Sequence, residues 1–216
     1  MSAPAGEPVT ARGRRTRGLL VAAAAEVFAE KRFLDTSISD IAARAGVAHG
    51  TFYRYFDSKE QIFREVALDL QQRLLRGRGD DEDERPPTFG DPAEELLWRI
   101  TRANRRYLTT YREHASLMVV LEQVATFSDE LLAIRRETRT AFVDRARRSI
   151  ERMQALGLAH ADVDARYAAS ALGSMVDRFA YVAFVLDEPF DLEESARTLS
   201  LLWVRALGID APPSRS

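Results

Sequence analysis

The sequence predicts an all-α chain, a small N-terminal helix-turn-helix unit followed by a bundle of longer helices. Three observations predict it: apolar residues recur at helical spacing over most of the 216 residues, capping pairs stand where those runs begin, and no stretch alternates as a strand would. Residues 1–15 read as a flexible arm, rich in Ala, Pro and Gly before it turns basic at Arg12, Arg14, Arg15 and Arg17. A helix begins near Thr16, with Leu20, Ala24, Val27 and Phe28 on one face, and Lys31 and Arg32 close its last turn. Ser37 with Asp40 resembles a capping box for a short helix that ends at Gly46. His49 to Phe56 reads as a second short helix, and Ser58 with Gln61 opens a long one bearing Phe63, Val66, Leu70 and Leu74.

Gly77 to Pro92, with its run of acids and Pro86, Pro87 and Gly90, is expected to be a linker or mobile loop. Helices follow at about 94–113, 115–126, 129–156, 163–187 and 192–207, where Asp191 with Glu194 caps the last and Gly208 stops it. The expected domains are 16–60, the helix-turn-helix, and 61–208, the bundle, with a tail over 209–216.

Composition narrows the function. With 46% hydrophobic and 30% charged residues and no apolar run of the 18 to 20 residues that span a bilayer, the chain is expected to be globular and cytoplasmic, without membrane attachment or a secretory signal. There is no cysteine, and His49, His114 and His160 are too scattered to suggest a metal site, so neither a metal nor another cofactor is expected. The net charge of −2 conceals a division: residues 1–76 carry about +3 and the remainder about −5, so a polyanion is expected at the N-terminal end. Of the 31 basic residues only Lys31 and Lys59 are lysines.

The stretch from Phe33 to Phe63 is the most informative. Thr36 and Ser37, Asp40-Ile41-Ala42, Ala45-Gly46-Val47, Gly50-Thr51-Phe52-Tyr53, and Phe56 before Ser58-Lys59-Glu60 all fall in register with the helix-turn-helix of the TetR family of bacterial transcriptional regulators, which the chain resembles. The resemblance implies a homodimeric repressor that binds near-palindromic operator DNA and leaves it when a small, mostly apolar ligand enters the C-terminal bundle. A short helix pressed into a major groove needs an apolar back, here Phe52 and Phe56, and small or polar residues in front. Ala48 stands where the family commonly has a capping serine, which weakens that cap. The resemblance implies phosphate contacts by Thr36, Tyr53, Tyr55 and Lys59, with Ser37 and Gly50 in the same interface. The basic arm, with Arg14 and Arg15, is expected either to reach phosphate or the minor groove or to stay a solvated tail. Base readout is expected from His49, Thr51 and either Arg44 or Arg54.

In the C-terminal bundle, the inward stripe of residues 94–113 contains Asn104, whose amide is either tied to a neighbouring helix or offered to a ligand. The expected ligand contacts are Trp98, Asn104, Tyr107, Tyr111, Met118, Leu121, Phe142, Met175, Phe179 and, for an acidic group, Arg178. The stretch 163–187 is apolar nearly all round and 192–207 is similar, so a dimer interface is expected there through Gly173, Tyr181, Phe184, Leu199 and Trp203. Asp177 and Arg178 interrupt this apolar run, and burying either charge unpaired is costly, so a partner is expected: a salt bridge across the dimer, a solvated rim or an acidic group of the ligand. No catalytic residue is expected. The competing expectations are a regulator of the same fold controlled by a protein partner, and an all-helical enzyme using Glu122, His114 and Asp177.

Overall fold

A computed structural model describes residues 10–76 and 87–209. The expected arm before Thr10, the acidic part of the linker at 77–86 and the tail from 210 lie outside the described residues. Those described form nine α-helices and no strand: α1 (Ala11–Asp35), α2 (Ile38–Arg44), α3 (His49–Phe52), α4 (Lys59–Arg76), α5 (Pro92–Glu113), α6 (Ala115–Val124), α7 (Asp129–Ala155), α8 (Ala165–Phe184) and α9 (Leu192–Ala206).

Local chemistry accounts for most of the boundaries. Thr10 caps α1 by accepting from the Gly13 N–H at 3.1 Å, so the helix starts five residues before the expected Thr16 and carries Arg12, Arg14 and Arg15 on its first turns. The Ser37–Asp40 capping box is reciprocal: the Asp40 N–H donates to Ser37 Oγ at 3.1 Å and the Ser37 N–H to Asp40 Oδ2 at 3.0 Å. Ser58 Oγ accepts from the Gln61 N–H at 3.1 Å. Asp91, Asp164 and Asp191 cap α5, α8 and α9. The eighth helix stops at Phe184, three residues short of expectation, because Asp187 adopts a left-handed backbone with φ of 57°.

The chain divides into two compact units, Met1–Gln72 with Ser116–Arg135, and Arg73–Ala115 with Arg136–Ser216. The first has an aromatic centre in which Phe28, Phe33 and Phe63 lie with ring centroids 4.9 to 5.6 Å apart. The second is organised around α5, which packs along α9 and against α8. Within this unit the apolar stripe of α9 turns inward, burying Leu199 and Trp203. The expectation that those two residues form a dimer face is therefore corrected: they are core of a single protomer, and Leu202, 43% exposed, is the large apolar residue that α9 leaves outside. Gly173 is half-buried, and a Cβ there would make ordinary contact with Phe142 Cε1 of the same chain at 3.5 Å.

Candidate functional site

The helix-turn-helix is built by α2 and α3. Gly46, with φ of 67°, makes the turn between them, and a Cβ would find open space there, so its requirement is for backbone conformation alone. Phe52 and Phe56 are fully buried behind α3 with centroids 5.7 Å apart, each contributing about 2 to 3 kcal/mol of burial. What faces outward is polar: His49, Gly50, Tyr53 and Arg54 are exposed and Thr51 and Tyr55 half-buried. The rings of His49 and Tyr53, one helical turn apart, meet edge to face at 5.4 Å. Ala48 offers no side-chain cap to α3.

Four of the sequence-predicted contacts are engaged inside the unit. Lys59 Nζ donates to the carbonyls of Phe33 at 2.8 Å and Thr36 at 2.9 Å, approaches that of Leu34 at 3.5 Å, and lies 4.6 Å from the centre of the Phe33 ring. The buried Thr36 hydroxyl donates to the Arg32 carbonyl at 2.6 Å. Both side chains stabilise the corner between α1 and α2, where Arg32 is forced to φ 68° and ψ 168°. Ser37 is occupied as a cap. Arg44 donates to Glu26 at 2.9 Å and to both oxygens of Glu30 at 3.0 and 2.6 Å; its hydrogen bonds hold the Glu30 carboxyl below the usual carboxylate range.

Of the two arginines weighed for base readout, Arg44 is thus tied to α1 and Arg54 stands exposed. Among the basic residues at the start of α1, Arg17 pairs with Glu65 at 2.9 Å and covers Phe56, whereas Arg12 and Arg15 are exposed. No acidic residue sits in that first turn, so the positive end of the helix dipole faces positive side chains.

In the second unit, the Asn104 amide donates to Ser200 Oγ at 3.0 Å, and Ser200 donates in turn to the Ala196 carbonyl at 2.6 Å. This buried pair ties α5 to α9 and gives Asn104 a structural task. Tyr107 approaches Tyr111 at 6.0 Å and Phe142 at 5.8 Å between ring centroids. Trp98 is half-buried beside Phe89 with Arg102 over its ring, and Phe179 packs on Phe190 at 5.0 Å. Met175, Tyr181 and Phe184 are half-buried. The Arg178 guanidinium is exposed and stacks 4.4 Å over Tyr181, so an acidic ligand group would reach it only once it left that ring. Met118 and Leu121 belong to the first unit. Sequence reasoning missed the partner of Asp177: Tyr107 of the same chain donates its hydroxyl to Asp177 Oδ1 at 2.7 Å.

An all-α chain with an outward polar face on the second helix of a helix-turn-helix defines the class of helix-turn-helix regulators. The chain belongs to the TetR family of bacterial regulatory proteins: the family's N-terminal model matches residues 20–66, and the model for the C-terminal domain of transcriptional regulator EthR matches residues 100–208. EthR of Mycobacterium tuberculosis, an HTH-type transcriptional regulator, is 27% identical over 205 residues, 91% of this chain and 92% of its own length. An uncharacterized HTH-type regulator of Bacillus subtilis, YdgC, is 38% identical over 65 residues, 30% of this chain. The chain matches about a third of the length of the Bacillus relatives, 33% for YdgC and 35% for YvdT. Among solved structures, the TetR family regulator PfmR of Thermus thermophilus is 27% identical with a TM-score of 0.62, covering 86% of this chain and 97% of its own.

Proposed function

We propose that the protein is a ligand-responsive transcriptional repressor that binds a near-palindromic operator as a homodimer and leaves it when a small, mostly apolar effector binds its second unit. The observation that carries the DNA-binding reading is the outward face of α3, where His49, Gly50, Thr51, Tyr53 and Arg54 stand in front of two fully buried phenylalanines. Base readout is assigned to His49, Thr51 and Arg54, and phosphate contact to Tyr53, Tyr55, Arg14 and Arg15. The arginines that crowd the positive end of α1 support it: they weaken the helix alone and are compensated by phosphate. Dimerisation is assigned to the outer faces of α8 and α9, where Tyr167, 77% exposed, and Leu202 are large apolar groups without cover in one protomer. The effector reading rests on the concentration of aromatic side chains at Tyr107, Tyr111, Phe142 and Phe184.

The test begins by selecting duplexes from a random pool with the full chain and measuring affinity by fluorescence anisotropy. A palindromic consensus with half-sites about 34 Å apart is expected, with affinity falling steeply as salt rises. Thr51→Ala and Arg54→Ala should reorder the preference among duplexes, and Tyr53→Ala should weaken all of them alike. A pool that yields no enriched sequence would overturn the reading.

A further inference from the structure

We infer that the effector carries a positive charge, an amine or quaternary ammonium on an apolar body, and that Asp177 receives it. This inference rests on the effector reading above and names the ligand's chemistry. Asp177 sits within α8 among alanine, methionine, valine and phenylalanine, half-buried, and its single hydrogen bond is the neutral Tyr107 phenol at 2.7 Å. No lysine, arginine or histidine of the described residues pairs with it.

Four arginines on the helices around it have other partners. Arg139 of α7 donates to Ser170 and Ser174 of α8 at 2.9 Å each, Arg105 of α5 pairs with Glu193 at 2.6 Å, Arg102 lies over Trp98, and Arg178 lies over Tyr181. A half-buried carboxylate with one neutral donor is electrostatically incomplete, and a cation is what completes it.

The surroundings suit an organic cation better than a metal ion. The Tyr107 ring whose hydroxyl serves the carboxylate also approaches Phe142 and Tyr111, and Tyr111 approaches Phe184 at 6.4 Å, so the carboxylate is linked to a cluster of aromatic rings. Aromatic faces attract alkylammonium groups and accept their hydrocarbon portion, whereas a metal ion needs several oxygen ligands. Gly173, one turn before Asp177 on the same face of α8, lies beside Phe142 of α7, where a Cβ would stand in ordinary contact with the ring at 3.5 Å. An anionic effector would meet like charge here.

The test compares decyltrimethylammonium, decanol and decanoate below their micellar concentrations, titrated calorimetrically into the full-length protein. Decyltrimethylammonium should bind at least about tenfold more tightly than decanol, with decanoate weakest; Asp177→Asn, which keeps an acceptor for Tyr107, should erase the preference of the cation over decanol. Tyr107→Phe, which keeps the ring, should retain the preference for the cation. Decanoate binding as well as the cation, an undiminished preference in Asp177→Asn, or no binding of the cation would each overturn the inference. So would dissociation of Asp177→Asn into monomers in light scattering, since the carboxylate would then belong to a subunit contact. Operator release is measured separately. Uncharged decanol releasing DNA as well as the cation does would leave the effector reading intact and remove the charge, whereas Asp177-dependent binding of the cation without release would do the reverse.

Discussion

The two units differ in where their polar side chains act. In the first, charged groups stitch neighbouring helices together: Lys59 on three backbone carbonyls, Arg44 on Glu26 and Glu30, Lys31 on Asp40 at 2.7 Å. In the second, Arg105 on Glu193 and Arg139 on Ser170 and Ser174 also link helices at the surface, but the interior pairs Asn104 with Ser200 and Tyr107 with Asp177 have neutral donors, the latter beside aromatic rings. A reading head that meets an irregular polyanion must keep its shape, and hydrogen bonds fix directions as apolar contacts do not. Under the proposed function the second unit admits a small ligand, a task that rings and adaptable side chains suit.

The largest expected effect tests the first half of that contrast. Lys59→Met removes two short charge-assisted hydrogen bonds from a strained corner and should cost about 3 kcal/mol in urea unfolding, with operator affinity lost in parallel. A variant of unchanged stability that nevertheless binds DNA poorly would make Lys59 a phosphate contact and remove it from the stitching. Next, Ser200→Ala leaves the Asn104 amide without its acceptor inside the second unit and should cost about 2 kcal/mol, while effector response persists. Loss of effector response at full stability would instead put Asn104 in the binding site.

A gain is expected at Arg32. Its side chain is exposed and its backbone occupies a region that glycine alone tolerates, so Arg32→Gly should raise stability by about 1 kcal/mol in urea, the relief being partly offset by glycine's greater unfolded freedom. Smaller still is a pH effect. Bonds from the Lys31 ammonium and then from Ser37 hold the Asp40 carboxyl well below its ordinary value of 3.8. A carboxyl depressed in the folded state stabilises at pH above its unfolded value and loses that contribution on acidification. Urea midpoints of the wild type should therefore fall below about pH 4, and Asp40→Asn should flatten part of that fall. Glu194→Gln, at the exposed Arg197 pair of α9, should leave the urea midpoint unchanged at pH 7, because solvent screens surface pairs.

The same contrast explains what could be read from residues alone. Helix starts were legible where a capping side chain acts within three residues, as at Ser37 and Asp191, and Phe52 and Phe56 were legible as the back of α3 because a four-residue spacing fixes one helical face. Start and end points set by weaker signals were missed: Thr10 extends α1, and Asp187 ends α8 early. Periodicity cannot say which neighbour covers an apolar face, and so Leu199 and Trp203, buried in the protomer, read the same as interface residues. Nor can it reveal pairings between distant helices such as Lys59 on Phe33 or Tyr107 on Asp177, which depend on tertiary placement.

The enclosure of Lys59 bears on how the protein should be handled at the bench. With one of two lysine side chains caged by carbonyls and a ring, Lys31 is the side-chain amine open to acylating reagents, and it lies against the cap of α2. Coupling the protein to a sensor surface through its lysine side chains would therefore tether it beside the helix-turn-helix. Peptide mapping after brief acetylation should find Lys31 modified well before Lys59, and attachment through a C-terminal tag should recover DNA binding that amine coupling suppresses.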